Sequence, residues 1–158
     1  MLRSLALWSL VVLVGLGSLA PIADGQDDER QAVRRVIEDF TSAYNDADLS
    51  MLLAHIAEDA VIDSRLARGK VTKQEYAEAL ARAFKTRQVI GLEIRDIRVT
   101  MVDATHATAR SRIYPMTLGR RYVYDHDWVL EKRDGRWLIV GTVYRTKAPE
   151  PVKPLEIA

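Results

Sequence analysis

Residues 120–132 carry the side chains best suited to acid–base chemistry and ligand binding. Alternate positions hold two phenols, an imidazole, an indole and an aliphatic group, and the positions between them include three carboxylates. This alternation predicts a β-strand with one covered face and one face in water. Aromatic bodies with a few polar tips suit a pocket wall, and an imidazole there can transfer protons near neutral pH. The covered residues are Tyr122, Tyr124, His126, Trp128 and Leu130.

This covered face has three interpretations, and the residue types leave all of them open. It is a wall that binds a small molecule, or His126 on it is a catalytic base. Alternatively, Trp128 and Leu130 are plain core, and His126 is a hydrogen-bonded wall residue or faces a dimer partner.

Two further residues are candidates for the same pocket. Tyr44 lies one turn beyond Phe40 on the apolar face of the first predicted helix, and its hydroxyl needs a partner if it is buried. Asp63 closes a short predicted strand and becomes a general base if it is partly desolvated. The simpler role for Asp63 is to cap a loop or to pair with Arg65 or Arg68.

Other polar residues give weaker signals. Arg110 and Arg112 share a strand face and can clamp a carboxylate or phosphate, although a solvated outer face is the simpler interpretation. His55 fits helix packing. No His and carboxylate cluster has the spacing of metal ligands, and no glycine-rich phosphate loop is present, so we expect no metal and no cofactor.

Composition limits the class of protein. The 158 residues have a formal net charge of +1, which argues against a nucleic-acid partner. The chain has no cysteine, which excludes disulfides, a thiol nucleophile and a thiolate metal site.

Residues 1–25 are predicted to be a secretory signal. Arg3 precedes an apolar block at residues 5–20, and small residues follow it, with cleavage expected before Gln26. The alternative is an uncleaved anchor, but a membrane-spanning helix needs about 20 apolar residues. We therefore expect a periplasmic or secreted protein that has no membrane association once the signal is removed.

The remaining pattern predicts three helices followed by four long strands, which is an α+β fold. The first helix runs to Asn45, the second starts at Asp48 and stops at Glu58 and Asp59, and a strand covers residues 60–62. A loop at residues 65–71 leads to a third helix that starts with the capping box of Thr72 and Glu75.

The four long strands are predicted at residues 89–102, 105–114, 120–132 and 137–145, the first with one break in its alternation. A turn region separates the second and third strands at residues 115–119, and Asp134 and Gly135 form a hairpin turn between the last two. One domain spans residues 26–147, and residues 148–158 form a proline-rich flexible tail.

Three segments carry a resemblance to a known superfamily. They are the helix–turn–helix–strand pattern of residues 40–62, the G-x₅-E-Y step from Gly69 to Tyr76, and the ending WVLEKRDGRWLIV at residues 128–140. Together they resemble the nuclear transport factor 2-like superfamily, which includes SnoaL-like cyclases and ketosteroid isomerases. The resemblance implies a cone-shaped fold, with three N-terminal helices packed on a strongly curved antiparallel sheet, and a homodimer formed through that sheet.

The catalytic positions of ketosteroid isomerases are not filled here. The resemblance places Phe40 where those enzymes have a tyrosine, and it places Ser64 where they have an aspartate. Asp63 is one residue away and points to the opposite strand face. Steroid isomerisation therefore requires Tyr44 and Asp63 to act from neighbouring positions.

Three functions follow, in order of preference. The first is an exported domain that binds a small apolar or carbonyl-containing molecule in a pocket lined by Phe40, Tyr44, Tyr124, His126 and Trp128. The second is a cofactor-free SnoaL-like lyase or isomerase in which Asp63 or His126 is the base. The third is a dimerisation or assembly module.

Overall fold

The computed structural model describes residues 23–87, 91–117, 120–145 and 150–151. Its three helices are α1 (Ala23–Asn45), α2 (Leu49–Ala54) and α3 (Lys73–Lys85). Its strands are β1 (Ile56–Ser64), β2 (Gly69–Thr72), β3 (Gly91–Met101), β4 (His106–Thr117), β5 (Arg120–Arg133), β6 (Arg136–Tyr144) and β7 (Glu150–Pro151). The fold is α+β, as the sequence pattern predicts.

The predicted signal segment lies outside the described residues, apart from residues 23–25 at the start of α1. Within the described ranges, none of the helices combines the length and the apolar character needed to cross a membrane.

The strands form one sheet in the order β2-β1-β6-β5-β4-β3, and the short β7 pairs with β5. Neighbouring strands are antiparallel except for β1 and β6, which are parallel. The expected antiparallel sheet is therefore confirmed at the other strand pairs and corrected at this one. Register shifts interrupt the pairing of β1 with β6, β3 with β4 and β5 with β6. Such bulges bend strands, so the sheet is curved.

Helix α1 covers the inner face and one edge of the sheet. Its apolar residues recur every three or four positions, and the buried ones include Val33, Ile37 and Phe40. At its end, the Asn45 side-chain amide donates to the carbonyl of Leu92 (3.0 Å), and its oxygen accepts from the Leu92 N–H (2.7 Å). Because β3 is an edge strand, these bonds pair backbone groups that would otherwise lack a partner.

The predicted caps and turn are confirmed. Asp48 accepts from the N–H of Met51 and caps α2. Thr72 and Glu75 form both bonds of the capping box at α3. Asp134 and Gly135 both have positive φ, which is the backbone conformation of a tight two-residue hairpin.

Several predicted boundaries are wrong. Helix α2 ends at Ala54, and the acidic pair predicted to stop it belongs to β1. The Glu58 and Asp59 side chains are exposed on that strand, where they pair with Lys73 (2.6 Å) and Arg133 (2.6 Å). Charged side chains facing water are compatible with a strand that has one solvated face.

Other differences concern strand ends. The predicted loop at residues 65–71 contains the start of β2, and the predicted turn region begins within β4, which continues to Thr117. Two residues of the predicted tail, Glu150–Pro151, pair with Tyr122 and Val123 of β5. The rest of residues 148–158 lies outside the described part of the chain.

Candidate functional site

A cavity of about 220 Å³ lies between the helices and the inner face of the sheet. Its wall takes residues from α1, α3 and every strand from β1 to β6 except β2. The structure brings together all six residues that the sequence singles out as site candidates. They are Phe40, Tyr44, Asp63, Tyr124, His126 and Trp128.

Trp128 forms the inner part of the cavity wall. It is 2% exposed, and its indole N–H donates to the Ser111 hydroxyl at 2.9 Å. Its ring packs edge-on against Phe40 (5.5 Å between centroids) and His126 (4.5 Å). Because the indole N–H is already hydrogen-bonded to Ser111, Trp128 presents an apolar ring to the cavity.

His126 lies between Trp128 and Tyr144, whose ring centroid is 4.7 Å away. Burial lowers the pKa of His126 from 6.5 to about 4, although Asp127 and Asp63 oppose this shift. Its Nδ1 has no hydrogen-bond partner among the described residues. At neutral pH the cavity therefore contains an uncharged imidazole.

Asp63 is held where β1 meets β6. Its Oδ2 accepts from the backbone N–H of Tyr144 at 3.0 Å, and its own N–H donates to the Thr142 hydroxyl at 3.1 Å. One carboxylate oxygen is thus engaged in a structural contact. This geometry favours a positioning role for Asp63 over the role of a free base.

Two tyrosines of the wall were missed by the sequence reasoning. Tyr76 on α3 and Tyr144 on β6 line the cavity together with Tyr44. Burial raises the pKa of all three phenols, and Tyr44 adds to the shift of both Tyr76 and Tyr144. The sequence carries only a weak signal for either residue, because Tyr76 appears there as the end of the G-x₅-E-Y step and Tyr144 as one position of the strand predicted at residues 137–145.

Arg65 marks the mouth of the cavity because it lines the cavity and is also exposed. Its guanidinium carbon lies over the rings of Tyr124 (5.4 Å) and Tyr144 (5.0 Å). Cations prefer the faces of aromatic rings, so these contacts fix the guanidinium across the mouth.

The two arginines considered as an anion clamp lie on the outer face of the sheet. Arg112 forms an ion pair with Asp96, and Arg110 Nε lies 3.7 Å from an oxygen of Asp127. Asp127 also pairs with Arg145 at 2.5 Å. Each arginine has a carboxylate partner, which agrees with the simpler interpretation of a solvated face.

No group of three or more His, Asp or Glu side chains within the described ranges is arranged to hold a metal ion.

The sequence and the fold both match known proteins. A family model described as the SnoaL-like domain matches residues 37–140. No curated protein matches the sequence.

Three solved structures illustrate the likeness of fold. A nuclear transport factor 2-like protein of unknown function from Pseudomonas putida KT2440 superposes with a TM-score of 0.69 at 15% identity, covering 81% of this chain and 98% of its own. A hexachlorocyclohexane dehydrochlorinase, type 2, gives 0.67 at 14% identity, covering 86% and 97%. A ketosteroid isomerase-like protein from Erwinia carotovora atroseptica SCRI1043 gives 0.62 at 22% identity, covering 76% and 98%.

Proposed function

Because this chain belongs to the SnoaL-like domain family, we propose that its cavity binds a small, largely apolar organic molecule. The observation that carries this proposal is the interior space of about 220 Å³. A packed core leaves few voids larger than a water molecule, so a space of this size is suited to hold a ligand. In this proposal the curved sheet and the helices form a cone, and the ligand enters at the open end beside Arg65.

Two neighbouring residues on β1 give a matched test. Ile62 is 4% exposed and lines the cavity, whereas Val61 is 52% exposed and faces outward. We expect Ile62→Trp to fill the cavity and to remove a co-purified small molecule, because an indole occupies much of the available space. Val61→Trp adds the same group outside and should leave the ligand bound.

Native mass spectrometry of the protein from its exporting host measures this directly. A bound small molecule that persists in Val61→Trp and disappears in Ile62→Trp supports the proposal. A protein that is empty in all three forms, or a ligand that is insensitive to Ile62→Trp, contradicts it.

The same spectrum tests export and assembly. We propose cleavage before Gln26 and a periplasmic or secreted location, so the expected subunit mass is that of residues 26–158. We also propose a homodimer through the outer sheet face, where Arg110 and Asp127 offer opposite charges beside the exposed Val129 and Val143. A full-length mass contradicts cleavage, and a purely monomeric spectrum contradicts the dimer.

A second candidate function is proton abstraction next to a carbonyl, as in a cofactor-free lyase or isomerase. The observation that favours it is the neutral imidazole of His126 on the cavity wall, with Asp63 on the same wall. One structural neighbour is named as a dehydrochlorinase, which is an elimination enzyme. We rank this candidate second because a base with a pKa of about 4 has little driving force for taking a proton at pH 7.

Exchange of the α-hydrogens of cyclohexanone in D₂O, followed by NMR, tests this candidate without knowledge of the substrate. If His126 is the base, His126→Gln lowers the protein-dependent rate by about 100-fold or more. His106→Gln is the control, because His106 is exposed and does not line the cavity. Absence of any acceleration over buffer rejects this candidate and leaves the binding proposal intact.

A further inference from the structure

Three tyrosine side chains form a cluster on the cavity wall. Tyr44, Tyr76 and Tyr144 come from α1, α3 and β6, and each lines the cavity. Among the described residues none of their hydroxyls makes a hydrogen bond, although all three side chains are largely enclosed. In the part of the chain that the structure describes, the fully buried side-chain atoms without a partner are His126 Nδ1 and Asp127 Oδ1, so the three hydroxyls are reachable from the cavity and can bond a polar atom placed there.

Three other polar groups of the wall are hydrogen-bonded within the protein. The Trp128 indole donates to Ser111, and Asp63 accepts from the N–H of Tyr144. The Ser64 hydroxyl accepts from the N–H of Ala67 at 3.2 Å. Hydrogen-bonding capacity therefore remains on the tyrosines of the wall, with Tyr44, Tyr76 and Tyr144 on the helix and β6 side and Tyr124 beside Arg65, and on the imidazole of His126.

The size of the cavity limits the ligand. An apolar cavity of about 150 Å³ in another protein takes one benzene molecule. About 220 Å³ therefore fits one ring with a few substituents. Four fused rings do not fit this volume.

The enclosed wall also disfavours a charged ligand. Burial raises the pKa of the three phenols and lowers that of His126, so all four groups are neutral at pH 7. A charged ligand placed among these four groups would lose its hydration without gaining an opposite charge from them, since Arg65 lies at the mouth.

We infer that the cavity prefers an uncharged single-ring compound whose oxygen atom hydrogen-bonds with Tyr44, Tyr76 and Tyr144. Phenols and cyclic ketones share this chemistry, because a phenol hydroxyl of the protein can donate to either oxygen. The inference rests on the proposed binding function and adds the class of ligand to it.

Calorimetric titration with four probes of similar size tests the inference. Phenol and cyclohexanone carry the oxygen, toluene lacks it, and benzoate replaces it with a charge. We expect phenol and cyclohexanone to bind about tenfold more tightly than toluene, because their oxygen atom gains net hydrogen bonds that toluene cannot form. Benzoate should bind more weakly than phenol.

Variants test whether the three tyrosines cause the preference for phenol over toluene. Tyr44→Phe combined with Tyr76→Phe should remove most of the preference for phenol and leave toluene binding unchanged. Tyr114→Phe is the matched control, because Tyr114 packs against Arg95 and is not among the cavity residues. Thermal unfolding of each variant verifies that it is folded.

The outcomes separate this inference from the proposed function. Toluene binding as tightly as phenol, or a preference that survives in the double variant, overturns the oxygen recognition. Tightest binding by benzoate also overturns it and points to Arg65 at the mouth. If a natural ligand is lost in Ile62→Trp but none of the neutral oxygen probes binds, only this inference fails. If no natural ligand and no probe responds to Ile62→Trp, the binding function fails as well.

Discussion

Replacing Trp128 with alanine is expected to lower the free energy of unfolding by about 3–5 kcal/mol. The side chain is 2% exposed and packs against Phe40 and His126. Its removal enlarges the existing cavity and leaves the buried Ser111 hydroxyl without its partner. Urea unfolding followed by circular dichroism gives the difference.

Val129→Ala is the control for this substitution. Val129 is the next residue of β5 and is 40% exposed on the outer face. Surface substitutions of this kind usually change stability by less than about 0.5 kcal/mol, although some strand propensity is lost here. A cost below about 1 kcal/mol for Trp128→Ala would contradict its assignment to the packed wall.

Acid is expected to destabilise the protein through His126. The pKa of this residue is about 4 in the folded state and 6.5 ordinarily, so between these values the unfolded chain binds more protons. Stability that is present above about pH 6.5 is therefore lost as the pH falls towards 4. The loss at pH 4 is about 3 kcal/mol, since one pKa unit corresponds to about 1.4 kcal/mol.

His126→Gln removes this titration. Between pH 7 and pH 4, the unfolding free energy of the wild-type protein should therefore fall by about 3 kcal/mol more than that of this variant. A difference between wild type and His126→Gln that stays constant with pH would show that His126 is not enclosed.

The sequence predicted the elements whose signals are local. The capping box of Thr72 and Glu75, the cap at Asp48 and the turn at Asp134 are set by neighbouring residues, and all are confirmed. The alternation in β5 also needs no knowledge of its neighbours. Its even residues from Tyr124 to Leu130 are buried, as the 4% exposure of His126 illustrates.

Signals that depend on distant partners were missed. The sequence pattern predicted that a helix ends at Glu58 and Asp59. Both residues belong to a strand and form ion pairs with Lys73 and Arg133, and these partners are too far along the chain to be recognised from a local pattern. The short β2 was hidden in a polar segment, since it exists only through its pairing with β1.

The candidate site shows the same difference between local signals and signals that depend on distant partners. Phe40 and Tyr44 share a helix face and were placed together by helical periodicity. Tyr76 and Tyr144 reach the cavity from α3 and β6, and only the three-dimensional fold brings their hydroxyls near Tyr44. The sequence likewise does not reveal that these hydroxyls make no hydrogen bond to the residues that the structure describes.

The parallel pairing of β1 with β6 has a consequence for the order of folding. Val61 pairs with Gly141, eighty positions later, whereas β3, β4, β5 and β6 are joined by short connections. Closing a long loop costs more entropy, and distant contacts form slowly. We therefore expect the antiparallel strands to assemble first and β1 to join them late. Since the cavity wall needs residues from both sides of that seam, the ability to bind a ligand would arise only in the last kinetic phase of refolding.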